Sequence, residues 1–319
     1  MQSFKESLKR ILEFLEDHGP KRVEIVYSQT YDGAMSSIFF EKIVELYTKD
    51  YIIVPFSMFN RTLTRAELLI FLDVPRDIVG NVEGTFLILS HEKNSHHRPS
   101  ENWINPHFFG LEHNTTRMVY ELGLMIDKTF FSERQWLVSS VMVKTYDFGH
   151  MDLPSILSLM EDYGLYGTLF YASMFKDKVI DRAYPIFYSA FKYNDEQMLK
   201  NNYYLKNCYS HLSKILEKEL KSMNRYEFGN IVVYETKYLP YYFSYLFVEQ
   251  NLDNKLYLVR DYGHNIEARS LIKQGEIEIF VNLFGGFYFN PRYATLLYSK
   301  NMFNEIKELL KQRPLDMYF

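Results

Sequence analysis

The sequence predicts an α/β fold in which two α/β lobes are joined by a helical linker. Within residues 22–91, four short apolar runs each end in polar residues, as the buried strands of a parallel sheet do. A long, mostly polar helical pattern covers residues 194–224, and a second series of strand and helix patterns follows it. These observations place the first lobe at residues 1–192, the linker at 193–225 and the second lobe at 226–319.

The first lobe is expected to begin with an amphipathic helix, SFKESLKRILEFLEDHG, which ends at Gly19-Pro20. The predicted strands are RVEIVYS, YIIVPFS, ELLIFLDV and TFLILSH, with the helix AMSSIFFEKIVELYTK after the first of them. NWINP predicts a short fifth strand. Two helices then start at the candidate caps Asn114 and Ser132, and residues 152–192 predict several short helices.

The second lobe shows the same alternation of strands and helices. NIVVYET, KLYLVRD and HNIEARS predict strands, and GGFYFNPRYATLLYS is expected to end in another strand. LPYYFSYLFVEQ, EIEIFVNLF and NMFNEIKELLKQ predict helices. We detect no internal repeat, so the second lobe is a separate α/β unit rather than a copy of the first.

Composition and charge narrow the classes of function. The chain has 319 residues, 47% of them hydrophobic, and a net charge of −4, which disfavours a general duplex-DNA binder. The single cysteine excludes a disulfide framework or a cysteine metal site within one chain. The 27 Tyr and 26 Phe form aromatic runs at 162–175, 238–247 and 313–319, which indicate either a protein interface or buried core. We expect no membrane segment and a cytoplasmic location.

Polar residues follow three of the predicted strands. They are the segment from Ser28 to Asp32, then Asp73, and then Ser90-His91-Glu92. In an open α/β sheet the carboxyl ends of the strands form the ligand crevice, so these groups are expected to converge. Taken singly, each has an ordinary structural interpretation: an Asp-Gly turn, a strand end, or a histidine at a sheet edge.

In order and spacing, these residues resemble the motifs of the DHH phosphoesterase superfamily, in particular its archaeal RecJ-like members. The strand followed by H-x-D-x-D-G corresponds to Ser28, Thr30, Asp32 and Gly33, and the second motif to Asp73. Three further motifs match less completely. Ser90-His91-Glu92 occupies the place of the D-H-H motif, and Ile104-Asn105-Pro106 matches the apolar-N-P step. At the fourth motif, an aspartate in the family, the sequence has Lys144, with Asp147 as a shifted candidate.

The resemblance extends to the second lobe, which is similar to a DHHA1 domain. There Arg269 and the Gly285-Gly286 turn match the family's phosphate-holding positions, and Phe287 replaces the family's histidine. The resemblance implies that these residues, with the nearby Arg292, are candidate contacts for a phosphate or for single-stranded DNA. Taken alone, the glycine pair indicates only a tight turn.

Several metal-ligand positions of the first lobe have lost their ligands. Family enzymes hold two Mn²⁺ or Mg²⁺ ions with aspartate and histidine, and paired ions activate a water molecule. Here Ser28, Thr30 and Ser90 replace strong ligands, and Lys144 places a cation where a carboxylate is expected. Asp32, Asp73, His91 and Glu92 remain. The resemblance therefore implies vestigial metal positions, no metal or other cofactor, and no catalytic residue.

Degenerate members of this family with two lobes act as scaffolds. They include archaeal counterparts of the cell-division-cycle forty-five subunit, which binds GINS and joins MCM in the CMG replicative helicase. The resemblance therefore implies a nucleoid-associated, inactive subunit that binds GINS, stimulates or stabilises MCM and touches single-stranded DNA weakly if at all.

Two alternatives remain open from the sequence, and a third is disfavoured by it. One is a Mn- or Mg-dependent single-strand exonuclease or phosphodiesterase with a reduced metal site. Another is a nucleotide-binding sensor. The third is a zinc protease, suggested by HEKNSHH and the neighbouring His107 and His113, but the H-E-x-x-H motif requires histidine where Ser95 stands.

Overall fold

In the computed structural model of the chain, the residues described are 3–80, 82, 84–93, 100–177, 180, 182–238, 240–243, 255–261, 265–270, 275–297, 304–306 and 308. The chain divides into two compact units, Met1–His211 and Leu212–Phe319. The three-part division at residues 192 and 225 stays a prediction.

The first unit contains a five-stranded, wholly parallel sheet, as the strand patterns predicted. Its strands are β1 (Val23–Tyr27), β2 (Tyr51–Pro55), β3 (Leu68–Leu72), β4 (Thr85–Leu89) and β5 (Trp103–Ile104). Their order in the sheet is β2-β1-β3-β4-β5. Every residue of β1 and β3 is buried, which explains the wholly apolar sequence of β3 and the apolar sequence of β1 apart from Glu24. The carboxyl ends of β1, β3 and β4 therefore lie side by side.

The helices of this unit include α1 (Phe4–His18) and α2 (Tyr31–Val44), which flank the first strand. The others are α3 (Arg76–Val79), α4 (Thr115–Ile126), α5 (Lys128–Ser132), α6 (Gln135–Thr145), α7 (Leu153–Asp177), α8 (Ala183–Tyr193) and α9 (Gln197–Asn201). Helix α10 (Tyr203–Ser222) begins in this unit and runs past its boundary at His211. Helix α1 begins with a complete capping box between Ser3 and Glu6 and ends at Gly19 in the left-handed region. Among the described residues, no helix is both long and apolar enough to cross a bilayer.

Three helix predictions differ from the structure. Asn114 does cap α4, but Ser132 is the last residue of α5 and not the cap of α6. Residues 152–192 form the 25-residue helix α7 and then α8, not several short helices. The helix predicted at 194–224 is interrupted at Asn202, which lies between the end of α9 and the start of α10.

The second unit is built on a six-stranded mixed sheet. Its strands are β6 (Asn224–Phe228), β7 (Ile231–Thr236), β8 (Leu256–Asp261), β9 (Asn265–Arg269), β10 (Gly286–Asn290) and β11 (Tyr293–Leu297), in the order β10-β11-β9-β8-β7-β6. Only β7 and β8 are parallel neighbours among these described strands. Helix α11 (Gly275–Phe284) packs on β10 and β11. The helices predicted at 239–250 and 301–312 lie largely outside the described residues.

Candidate functional site

Three buried side chains meet at the carboxyl edge of the parallel sheet. Asp32 follows β1, Asp73 follows β3 and His91 follows β4, and one ligand atom from each lies within 4.8 Å of the others. His91 Nδ1 is 3.4 Å from Asp32 Oδ2 and 3.3 Å from Asp73 Oδ1. The edge of the sheet thus brings together three of the predicted vestigial positions as one carboxylate–imidazole–carboxylate group.

Two hydroxyls from the turn after β1 complete the surroundings of Asp73. Ser28 and Thr30 both donate to Asp73 Oδ2, at 2.6 and 2.5 Å. Thr30 also accepts from Gly33 N at 2.9 Å, so the same side chain caps α2. The hydroxyls of Ser28 and Thr30 are therefore bonded to Asp73, another of the predicted vestigial metal positions.

The backbone of Asp73 is unusual and fixes its side chain. Its φ is 56°, in the left-handed region that few residues other than Gly, Asn and Asp adopt readily. Its N–H donates to Leu89 O at 2.9 Å and ties the end of β3 to the end of β4. This conformation turns the carboxylate toward the hydroxyls of the β1 turn.

Asp32 binds the amino end of α4. Thr115 N donates to Oδ2 at 2.9 Å, Thr116 N to Oδ1 at 2.7 Å, and Thr116 Oγ1 to Oδ1 at 2.6 Å. The first turn of a helix carries unpaired N–H groups and a partial positive charge, so a buried carboxylate there is well placed. Thr115 and Thr116 were not predicted as part of the site, although the predicted cap at Asn114 indicates that their N–H groups lie at the start of a helix.

Charge within the group is balanced by His91. Burial alone would lower the pKa of His91, but its hydrogen bond to Asp73 and the charge of Asp32 outweigh burial and raise the pKa to about 9. Burial raises the pKa of Asp73, but the hydrogen bond and charge of His91 dominate and hold it below its ordinary value. Burial and the neighbouring Asp73 raise the pKa of Asp32 to about 6. These shifts favour an imidazolium between two carboxylates near neutral pH.

The two neighbours of His91 point elsewhere. Ser90 Oγ accepts from Trp103 Nε1 at 2.8 Å and so binds β5. Glu92 Oε1 accepts from Arg76 N at 2.7 Å, at the start of α3, and burial raises the pKa of Glu92 to about 7. Neither side chain joins the group of Asp32, Asp73 and His91.

The candidates for the fourth motif also bind elsewhere. The ammonium of Lys144 lies 4.5 Å from the ring centre of Tyr171. Asp147 Oδ2 accepts from Asn114 N at 2.9 Å, and Arg117 Nη1 lies 3.6 Å from Asp147 Oδ1. Burial raises the pKa of Asp147 to about 6. Asp147 is thus a second carboxylate at the start of α4, outside the Asp32–Asp73–His91 group.

Comparison with known proteins supports the fold but not a closer relationship. No protein-family model and no curated protein matches the chain. Two solved structures match with 11% identity and a TM-score of 0.60: Mn²⁺-bound RecJ from Thermus thermophilus, and the DHH domain of a member of the s1p family of ribosomal proteins. They cover 98% and 97% of this chain, and 55% and 90% of their own chains. A manganese-bound exonuclease RecJ matches with a TM-score of 0.55 and 11% identity, over 98% of this chain and 96% of its own.

The chain has a RecJ-like DHH fold. The second sheet corresponds to the DHHA1 part of that fold. At 11% identity the likeness establishes architecture alone, and this chain spans about half of the Thermus protein. The activity and partners of the chain must be argued from its own residues.

The residues of this RecJ-like fold do not fit a pair of metal ions. Asp32 Oδ1 already takes two donors, Asp73 Oδ2 takes two hydroxyls, and the other oxygen of each carboxylate faces His91. Mn²⁺ and Mg²⁺ require several oxygen ligands or imidazoles with free lone pairs. One ion would have to displace these hydrogen bonds, and among the described residues there is no second group of carboxylates and histidines that could hold another ion.

The candidate phosphate contacts of the second unit are engaged within its sheet. Arg269 Nε donates to Glu267 Oε2 at 2.9 Å, and its guanidinium lies 4.3 Å from the ring centre of Tyr293. Arg292 is buried, and its carbonyl accepts from Ser270 N at 3.0 Å. Contact of these arginines with phosphate or single-stranded DNA stays a prediction.

The Gly285-Gly286 pair has a local structural cause. Both residues have positive φ, at 74° and 128°. A Cβ at Gly286 would lie 2.2 Å from Thr295 O, so a side chain cannot fit between β10 and β11. The pair thus carries the chain from α11 into β10.

The aromatic and histidine hypotheses have different outcomes. For 162–175 the structure favours the buried-core alternative over the interface, because α7 buries Tyr166, Phe170 and Tyr171 in the core of the first unit. Half of 238–247 and all of 313–319 lie outside the described residues, as do His96 and His97. Among described residues, the one group that could hold a metal ion is Asp32, Asp73 and His91, so a zinc-protease site is not assembled there.

Proposed function

We propose that the chain is a catalytically inactive, RecJ-like scaffold subunit of an archaeal replicative helicase complex, which binds GINS and stimulates or stabilises MCM during unwinding. The observation that carries the proposal is the saturation of Asp73 by Ser28, Thr30 and His91. The fold is kept while the group that would hold metal is bonded within the protein.

The loss of hydrolysis follows from the chemistry of the fold's enzymes. Two ions would position and activate water and clamp the phosphate oxygens. In this chain the hydroxyls of Ser28 and Thr30 are donors to Asp73, and Ser90 binds Trp103. None of the three supplies the negative charge that a second divalent ion requires.

A scaffold role is compatible with a fold that lacks the ligands for a pair of metal ions. A fold does not dictate a function, and a surface can stay useful after the catalytic groups have gone. The identity of the partners rests on the resemblance of the sequence to degenerate archaeal RecJ-like proteins. Contact with single-stranded DNA would be weak and salt-sensitive, because the chain carries a net charge of −4 and buries Arg269 and Arg292.

The proposal is tested by affinity purification of the tagged full-length chain from native extract of its source at low salt, followed by mass spectrometry. We expect GINS and MCM subunits to co-purify and to be absent from an identical purification with the tag alone. Recovery of the bait without GINS and without MCM would contradict the proposal.

A functional assay addresses the role of the complex. Purified chain added to MCM and GINS is expected to raise the rate of strand unwinding, and to have no effect on MCM when GINS is omitted. An unwinding rate that is the same with and without the chain would count against a stimulatory scaffold.

A further inference from the structure

We infer that the metal centre of this fold has been replaced by a metal-independent polar cross-link, formed by Ser28, Thr30, Asp32, Asp73, His91, Thr115 and Thr116. We call these residues the polar network. The inference goes beyond the proposed function, because it holds whether or not the chain joins a helicase complex.

The polar network joins four segments that are distant in sequence. Asp73 connects the end of β3 to the turn after β1 through the hydroxyls of Ser28 and Thr30. Asp32 connects that turn to the first residues of α4 through Thr115 and Thr116. A bound ion cross-links segments in the same way, by contacting side chains from several of them.

His91 closes the network from the end of β4. Its Nδ1 lies 3.4 Å from Asp32 Oδ2, 3.3 Å from Asp73 Oδ1 and 3.3 Å from Thr115 Oγ1. The imidazole therefore lies between the carboxylates, where a shared cation would otherwise lie. Ion binding would have to break the contacts of His91 with both of them.

Burial makes these contacts important for stability. Asp32, Asp73 and His91 are each less than a tenth exposed, and a buried charge that loses its partner is strongly destabilising. The positive φ of Asp73 is a further constraint that the surrounding hydrogen bonds maintain. The first unit should therefore depend on these side chains in the complete absence of metal.

The first test is thermal unfolding of the full-length wild-type chain in EDTA and in millimolar Mn²⁺ or Mg²⁺. Because a ligand of the native state raises Tm, a metal centre would give a concentration-dependent increase. We expect Tm values in EDTA and in either ion to agree within about 1 °C. A saturable rise of several degrees with Mn²⁺ would overturn the inference.

The second test removes one charge while preserving the backbone. Asp73→Asn keeps a residue that tolerates the left-handed conformation, and we expect Tm to fall by roughly 10 °C, equally in EDTA and Mn²⁺. Asp50→Asn, at an exposed aspartate of the same unit, is the matched control and should leave Tm unchanged. An Asp73→Asn protein as stable as wild type would overturn the inference.

Milder variants cover the case in which Asp73→Asn does not fold. Ser28→Ala removes one hydroxyl donor and should lower Tm by a few degrees. Thr30→Asp puts a carboxylate against Asp73, where a donor stood at 2.5 Å, and should lower Tm in EDTA and restore it in Mn²⁺. Unchanged Tm in EDTA for both variants would overturn the inference, while leaving the purification test of the scaffold proposal intact.

Discussion

At the scale of single residues, Gly33 shows why the Asp-Gly turn after β1 cannot vary freely. A Cβ at this position would lie 2.3 Å from Ser28 Oγ and 2.4 Å from Ser28 O. The first turn of α2 therefore approaches the end of β1 so closely that only glycine fits. This packing requirement holds whether or not a metal is bound.

We predict that Gly33→Ala lowers the free energy of unfolding by about 2–4 kcal/mol, because the added methyl group must push β1 and α2 apart. Gly164→Ala is the control. Its nearest neighbour would be Val143 Cγ1 at 3.8 Å, and alanine is the better helix former by about 1 kcal/mol, so stability should be equal or higher. Chemical denaturation of both variants measures the difference, and equal stability of Gly33→Ala and wild type would refute the packing argument.

His113 makes the free energy of unfolding of the first unit depend on pH. Burial, with a smaller contribution from the charge of Arg117, lowers its pKa to about 4, while Glu121 Oε1 lies 3.7 Å from Nε2. In the unfolded chain His113 binds a proton with a pKa near 6.5. Between about pH 6.5 and 4 unfolding therefore takes up a proton, so the free energy of unfolding falls as the pH falls through that window.

We expect the free energy of unfolding of wild type to fall by roughly 2 kcal/mol more than that of His113→Gln between pH 7.5 and 4.5. Other titrating groups contribute to both proteins, so the difference isolates His113. Urea titrations at several pH values measure it. Parallel curves for the two proteins would show that His113 does not titrate as its environment requires.

Sequence reasoning could locate the site but not the direction of every side chain. Asp32, Asp73 and His91 were predictable, because the ends of parallel strands share one edge of a sheet. The outward turn of Ser90 toward Trp103, and of Glu92 toward Arg76, depends on loop backbone beyond the strand, which residue spacing does not encode. The stacking of Lys144 on Tyr171 depends on α7, an element that sequence patterns divided wrongly.

At the scale of elements, α7 shows that glycine need not end a helix. Several short helices were predicted within residues 152–192, yet Gly164 and Gly167 both lie inside one continuous helix. A Cβ at Gly167 would lie 3.2 Å from Lys144 Cδ and 3.3 Å from Tyr31 Cδ1. That glycine permits close packing of α7 against its neighbours rather than ending the helix.

Helix α4 provides an element-scale prediction, because polar groups from two directions bind its start. Asn114 Oδ1 accepts from Arg117 N at 2.8 Å, so Asn114→Ala should cost about 1–2 kcal/mol of stability. Ser132→Ala is the control, since Ser132 is exposed, ends α5 and caps no described helix, and it should change stability by less than about 0.5 kcal/mol. Denaturant titration compares them, and equal effects would contradict the cap assignment.

At the scale of the whole molecule, strand patterns were sufficient to predict two α/β units but not every strand. The parallel strands of the first sheet are mostly apolar, and β1 and β3 are buried throughout, so their sequence predicts them. Strand β6 was missed because NRYEF is largely exposed and has no apolar run. The abundance of aromatic residues is explained in part by a core with fully buried rings such as Tyr31, Phe39 and Phe170.

The central claim for the whole molecule is that a RecJ-like fold persists here without phosphodiester hydrolysis. The alternative, an exonuclease with a reduced site, would require Asp32, Asp73 and His91 to hold an ion despite their internal hydrogen bonds. Both hypotheses concern the same three side chains, so one assay of the purified chain distinguishes them.

That assay is the release of nucleotides from end-labelled single-stranded DNA in Mn²⁺, with wild type, Asp32→Ala and Asp73→Ala purified in parallel. We predict that wild type releases no more product than buffer alone and no more than either variant. Metal-dependent release by wild type that is abolished in both folded variants would contradict the account.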